Sequence, residues 1–83
     1  MKTLLTFDSV HFALDAESKL EDRGFSPKTI PTPRELTNHC GLSILMDHLK
    51  LEDLEKMRED LDIKNIYNFE KLEGNINKIE KLI

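Results

Sequence analysis

Apolar positions along this chain come in short blocks whose period changes from one block to the next. Thr3 to Phe7 is an apolar run of strand length, and it predicts a first strand. Asp8-Ser9 offers N-cap oxygens ahead of a helix-period segment, Val10 to Leu20. On that segment Val10, Ala13, Leu14 and Leu20 lie roughly on one face, with Ala16 at its margin. Arg23-Gly24, a cation followed by a C′ glycine, predicts the helix stop. Phe25 to Ile30 is a second, weaker strand, in which Pro27 lacks a ladder donor and so points to an edge strand or its first residues. Leu42 to Met46 predicts a third strand. Leu51 to Leu61 is the clearest helix, with Leu51, Leu54, Met57 and Leu61 as its stripe and Glu52–Lys56 as an i,i+4 pair. Ile63 to Phe69 predicts a fourth strand with Tyr67 and Phe69 on one face. After Gly74, the spacing of Leu72, Ile76, Ile79 and Ile83 suggests a short amphipathic helix that would not be stable alone.

The resulting order is βαββαβ plus a tail, which predicts an α+β fold: a two-layer sandwich of the ferredoxin-like type with a short C-terminal helix. Residues 1–69 form the domain, and residues 70–83 are an amphipathic tail belonging to it. In such a sandwich both helices cover one face of the sheet. The other face carries Leu4, Thr6, Ser43 and Leu45, to be covered by the tail helix or by a second subunit in a homodimer.

Composition narrows the function classes. Eighty-three residues hold one core, and a chain of this size is only marginally stable. Its 39% hydrophobic and 34% charged residues are ordinary for a soluble globular protein. A net charge of −4 without a basic cluster argues against nucleic acid as the partner, since such binders need a positive face. The N-terminal stretch Met1 to Phe7 is too short and too soon followed by charge for a signal peptide or a membrane span. A single cysteine forms no internal disulfide, so the expected compartment is the cytoplasm. Three glycines leave no glycine-rich nucleotide cradle, and no carboxylate pair or second nucleophile suggests an independent enzyme.

Candidate chemistry gathers in one stretch, Ile30 to Leu42, which holds two of the three prolines, the only cysteine and one of the three histidines. In the expected topology the connection between strands two and three lies at the end of the sheet where the first helix begins. That brings Cys40 towards Ser9, Val10 and His11, where unpaired amides and a partial positive charge favour an anion. A thiolate there has a lowered pKa, the condition for a reactive cysteine. A second signal opposes this. Thr32-Pro33-Arg34-Glu35 reads as a helix start, with an N-cap threonine, proline at N1 and glutamate at N3. That helix would leave Cys40-Gly41 near a C-terminus, whose field disfavours a thiolate; a two-turn helix has little of that field. His11 and His39 have the chemistry to tune the thiolate or shuttle a proton, and read equally as exposed polar residues; His48 reads as surface. Cys40, His39 and His11 are zinc-type donors, but they lack a familiar spacing and a fourth ligand, so no metal is expected.

At these residues the chain resembles a known family. Phe7-x-Ser9-x-His11, then Ile30-Pro31-Thr32-Pro33-Arg34-Glu35, then Cys40-Gly41-Leu42-Ser43-Ile44 is similar to the selenium/sulfur carrier-like family of small bacterial domains. The Pro-Thr-Pro-Arg segment followed by Cys-Gly is the specific part, and the resemblance runs from Lys2 to Phe69. It implies that Cys40 holds a persulfide or perselenide. The donor would be a cysteine desulfurase or a selenocysteine lyase-like enzyme, the recipient an acceptor enzyme, and no cofactor is needed. Ser9, His11, Arg34, His39 and Gly41 are the supporting residues. Read from the residues alone, a free cysteine is more often a small buried side chain than a reactive one; the resemblance tips the reading to the carrier. The other class is an interaction or dimerisation module with a structural cysteine, using the open sheet face, its edge strands and a rigid Pro-Thr-Pro-Arg loop.

Overall fold

The computed structural model describes residues 2–33, 36, 41–47, 49–72 and 77–82, the side chains of Leu51 and Asn77 apart. Its elements in order are β1 (Lys2–Thr6), α1 (Val10–Asp22), β2 (Lys28–Pro31), β3 (Leu42–Asp47), α2 (Leu51–Leu61), β4 (Asn65–Lys71) and β5 (Asn77–Lys81). The strands form one antiparallel sheet in the order β2-β3-β1-β4-β5. The fold is therefore α+β, two helices with a five-stranded sheet.

The expected ferredoxin-like βαββαβ order with a terminal helix is not matched, because the tail is a fifth strand. β5 pairs with β4 from Tyr67↔Lys81 to Lys71↔Asn77, and the Leu82 amide donates to the Ile66 carbonyl at 2.8 Å. The physical reason is the edge of β4. A short isolated helix is marginal in water, whereas a strand beside β4 gains a complete ladder at once. Ile79 and Leu82 then lie on opposite faces of the sheet, with Leu82 against the core.

Burial follows strand position. β1 is central, and Thr3 to Phe7 are all buried, so the strand's side chains are covered on both faces of the sheet, as a continuous apolar run predicts. Leu5, Phe7, Ile44, Met46 and Ile66 point to the helices and make the core with Ala13, Ala16, Leu20, Leu54, Met57 and Leu61. Pro27 stands just before β2, the edge strand, where its missing N–H leaves no gap in the ladder.

α1 is rotated from the expected face. Ala13, Ala16 and Leu20 are buried, while Val10 and Leu14 are 47% and 50% exposed. The two alanines allow the helix backbone to approach β3, and the bulkier Val10 and Leu14 stay outside. Both ends of α1 are as expected. The Ser9 Oγ accepts from the Phe12 amide at 3.3 Å, and Gly24 takes the left-handed conformation (φ 89°) beyond the C-cap Arg23. α2 buries Leu54, Met57 and Leu61 as predicted and ends at Asp62 in the left-handed region (φ 55°). Glu52 and Lys56 form no ion pair among the described residues; the i,i+4 pair is Asp15–Lys19 on α1, at 3.1 Å.

Candidate functional site

Register decides what meets at each end of the sheet. Thr6 lies opposite Ser43, and Pro31 lies opposite Leu42. The last residues of β1 and β2 and the first residues of β3 therefore share one end, the end from which the chain turns through Asp8 and Ser9 into α1. The β2–β3 connection leaves and re-enters the sheet there.

Its two ends are clamped together. The Thr32 amide donates to the Gly41 carbonyl at 3.1 Å, and the Thr32 and Ser43 hydroxyls are 2.7 Å apart in a hydrogen bond. This adds one rung beyond the Pro31↔Leu42 pair, so the connection begins at Pro33 from a fixed base. The Leu36 amide donates to the Pro33 carbonyl at 3.1 Å, closing one turn at the place where the Thr-Pro-Arg-Glu signal predicts a helix start. Gly41 is exposed, and a Cβ placed on it would meet nothing within 4 Å. Cys40, Arg34 and His39, expected at the heart of the site, lie outside the described residues, as does His48.

Facing this end is the start of α1. Ser9 Oγ takes the Phe12 amide and the Ser9 carbonyl takes the Ala13 amide at 3.2 Å. The Val10 and His11 amides have no acceptor among the described residues, the usual condition of a first helical turn. No acid occupies that turn, whereas the first turn of α2 carries Glu52 and Asp53. Asp8, the carboxylate just before the helix in sequence, is paired with Lys64 at 3.3 Å, and the Lys64 amide donates to the Thr6 carbonyl at 2.8 Å. The positive end of α1 is thus left uncompensated by its own side chains. His11 is exposed on this turn, its ring tilted against Phe12 with centroids 6.2 Å apart. Exposed Val10 and Leu14 flank it, a feature that helical periodicity alone assigned to the core.

Among the described residues no group of three or more His, Cys, Asp or Glu side chains is placed to hold a metal ion. Nor is any helix among them long and apolar enough to cross a membrane.

These observations define a small α+β domain whose clamped β2–β3 connection, containing the sole cysteine in sequence, opens at the same sheet end as a helix N-terminus with no acid in its first turn. A family model described as "Putative Se/S carrier protein-like" matches residues 2–68, and the chain belongs to that family. The match ends within β4, so β5 lies beyond it. No curated protein and no solved structure matches the chain.

Proposed function

We propose that this protein is a carrier that accepts sulfur or selenium on Cys40 from a donor enzyme and passes it to an acceptor. The observation that carries the reading is membership of the Se/S carrier-like family over residues 2–68, a span that includes the only cysteine of the chain. A carrier must hold one reactive atom on a connection that two partner enzymes can reach in turn. The clamp between Thr32 and Gly41 supports this by anchoring the base of the loop, and Gly41, next to the cysteine in sequence, is exposed.

The exchange is balanced without an external oxidant. The Cys40 thiolate attacks the outer sulfur of a donor cysteine persulfide, the S–S bond of the donor breaks, and the donor thiolate leaves. Cys40 then bears the persulfide, and a second attack at its outer sulfur returns the Cys40 thiolate. The same steps hold for selenium. The amides of Val10 and His11 are the groups at this sheet end suited to the negative charge of such a species. Arg34 and His39 are neighbours of Cys40 in sequence with the chemistry to assist, as cation and as proton shuttle.

Mass spectrometry tests the proposal. Incubation with a cysteine desulfurase and cysteine should add one sulfur atom to Cys40; a selenocysteine lyase with selenocysteine should add one selenium. Cys40→Ser should abolish the gain without changing the circular dichroism spectrum. A wild-type protein that stays unmodified with both donors would overturn the carrier reading.

A further inference from the structure

We propose that the outer edge of β5 pairs with the same edge of a second copy of the chain, joining two sheets into one. β5 is the last strand of the sheet, and no described element lies beyond it. The row of Ile79 crosses Phe69, Lys2 and Asp47 at the end of the sheet away from the β2–β3 connection, which is itself anchored at the opposite edge. Lys78, Glu80 and Lys81 are all exposed, so the edge is open. The other edge is guarded. β2 has four residues, ends on Pro31 and follows Pro27, and prolines are a common means of keeping an edge unpaired. β5 contains no proline.

Hydrogen-bond parity decides which groups this edge offers. The Leu82 amide donates to the carbonyl of Ile66, which lies directly opposite when the β4–β5 register is continued by one residue. In an antiparallel ladder the residues bonded to a given neighbour alternate along the strand. Lys78, Glu80 and Leu82 therefore turn their N–H and C=O groups towards β4, and Asn77, Ile79 and Lys81 turn theirs outward. A twofold axis at Ile79 joins the two Ile79 residues by a pair of hydrogen bonds, and each Asn77 to a Lys81 by another pair.

Charge fixes the occupant and the register. With Ile79 opposite Ile79, Lys78 of each copy faces Glu80 of the other in a non-hydrogen-bonded pair, where side chains come closest. Within one chain these two residues pair along the strand at 3.4 Å, with both side chains more than half exposed. Lys81 falls opposite Asn77, so no like charges face each other. A slip that keeps the hydrogen bonds moves the register by two residues. It sets Lys78 against Lys78 in one direction and Glu80 against Glu80 in the other, and like charges directly opposite are destabilising. An unrelated strand would have to carry the reversed alternation, which a second copy presents by symmetry. In the joined sheet the two β2–β3 connections lie at the far edges, open to other partners. β5 also lies outside the residues matched to the family, so the pairing does not depend on the carrier reading.

The test uses the whole protein. Sedimentation equilibrium from about 1 μM to about 1 mM should show monomer passing into dimer. Amide hydrogen exchange, read by NMR, should show the parity of the edge. The Lys78, Glu80 and Leu82 amides should be protected throughout, and those of Ile79 and Lys81 only as the dimer fills. Two charge variants are made in a Glu70→Gln background, because Glu70 lies opposite Lys78 on β4 and would repel an acid there. Lys78→Glu makes the row wholly acidic and Glu80→Lys makes it wholly basic, so each alone should weaken the dimer about tenfold. Mixed in equal amounts, the two should pair as tightly as the Glu70→Gln parent pairs with itself. Continued protection of the Leu82 amide in each variant shows that β5 is still in place. A protein that stays monomeric over the whole range would overturn the proposal. So would a dimer that Glu80→Lys leaves intact, variants that stay apart when mixed, or concentration-dependent protection at β2 or the helices in place of Ile79 and Lys81.

Discussion

The orientation of α1 is testable with two substitutions of identical chemistry on one helix. Leu20 is fully buried against the sheet, and Leu14 is 50% exposed. Leu20→Ala removes the side chain from a closed environment and leaves a cavity, which costs about 2–5 kcal/mol. A domain of 83 residues has a total stability of roughly 4–12 kcal/mol, so this single change removes a large share of it. Leu14 forfeits only the buried half of its surface. Full burial of a leucine is worth about 1.5–3 kcal/mol, so the loss is about 1 kcal/mol, slightly reduced by the better helix propensity of alanine. Urea unfolding followed by far-UV circular dichroism measures both. With a slope of about 1 kcal/mol/M for a chain this small, Leu20→Ala should lower the midpoint by about 3 M and Leu14→Ala by about 1 M or less. If the parent midpoint is too low for that range, the same pair is read as Tm, where each kcal/mol corresponds to about 4–8 °C. Equal losses at the two sites, or a larger loss at Leu14, would mean that Val10 and Leu14 face the core and that the orientation of α1 described above is wrong.

Two further outcomes follow from the local chemistry. Ser9→Ala removes the hydroxyl that caps the Phe12 amide and should lower stability by about 1 kcal/mol in the same urea assay, with Ser9→Gly losing a few tenths. Thr3 is fully buried on the helix-facing side, opposite Asn68, and its hydroxyl has no hydrogen-bond partner among the described residues. Thr3→Val keeps the shape and removes the unsatisfied group, so it should raise stability by about 1 kcal/mol; a loss of that size would show that the hydroxyl is satisfied in solution.

The parts of this fold that were legible in the sequence are those where one signal had no competitor. α2 runs from Leu51 to Leu61, where the 3.6 period of Leu54, Met57 and Leu61 predicts it, because each of those side chains is large and buried. The ends of α1 follow from Ser9 and Gly24, whose roles depend on local geometry alone. The face of α1 was harder to read. Hydrophobicity ranks Val10 and Leu14 above Ala13 and Ala16, but the distance from helix to sheet is set by bulk, and alanine is what fits a close approach. The tail failed for a related reason. Ile76, Ile79 and Ile83 fit a helical spacing, while Gly74-Asn75 and the alternation Lys78-Ile79-Glu80 fit a hairpin. The unpaired edge of β4 chose between them, and no local property of the tail encodes that edge.

The candidate site divides along the same line. That the β2–β3 connection leaves the sheet at the end where the chain turns into α1 depends on strand order, and β2-β3-β1 was readable from alternating strands and helices. The clamp of Thr32 on Gly41 and Ser43 was not, because it needs the register and not just the order. That clamp also gives threonine a use that its N-cap reading does not require: its hydroxyl and amide tie the loop base to β3. A Pro-Thr-Pro segment therefore does more than stiffen the approach to the cysteine. Pro31 ends the edge strand, Thr32 closes the loop base, and Pro33 starts the turn completed at Leu36. Pro31, Thr32 and Pro33 thereby each acquire a structural task, in a chain whose proposed chemistry needs a single thiol held on a fixed base.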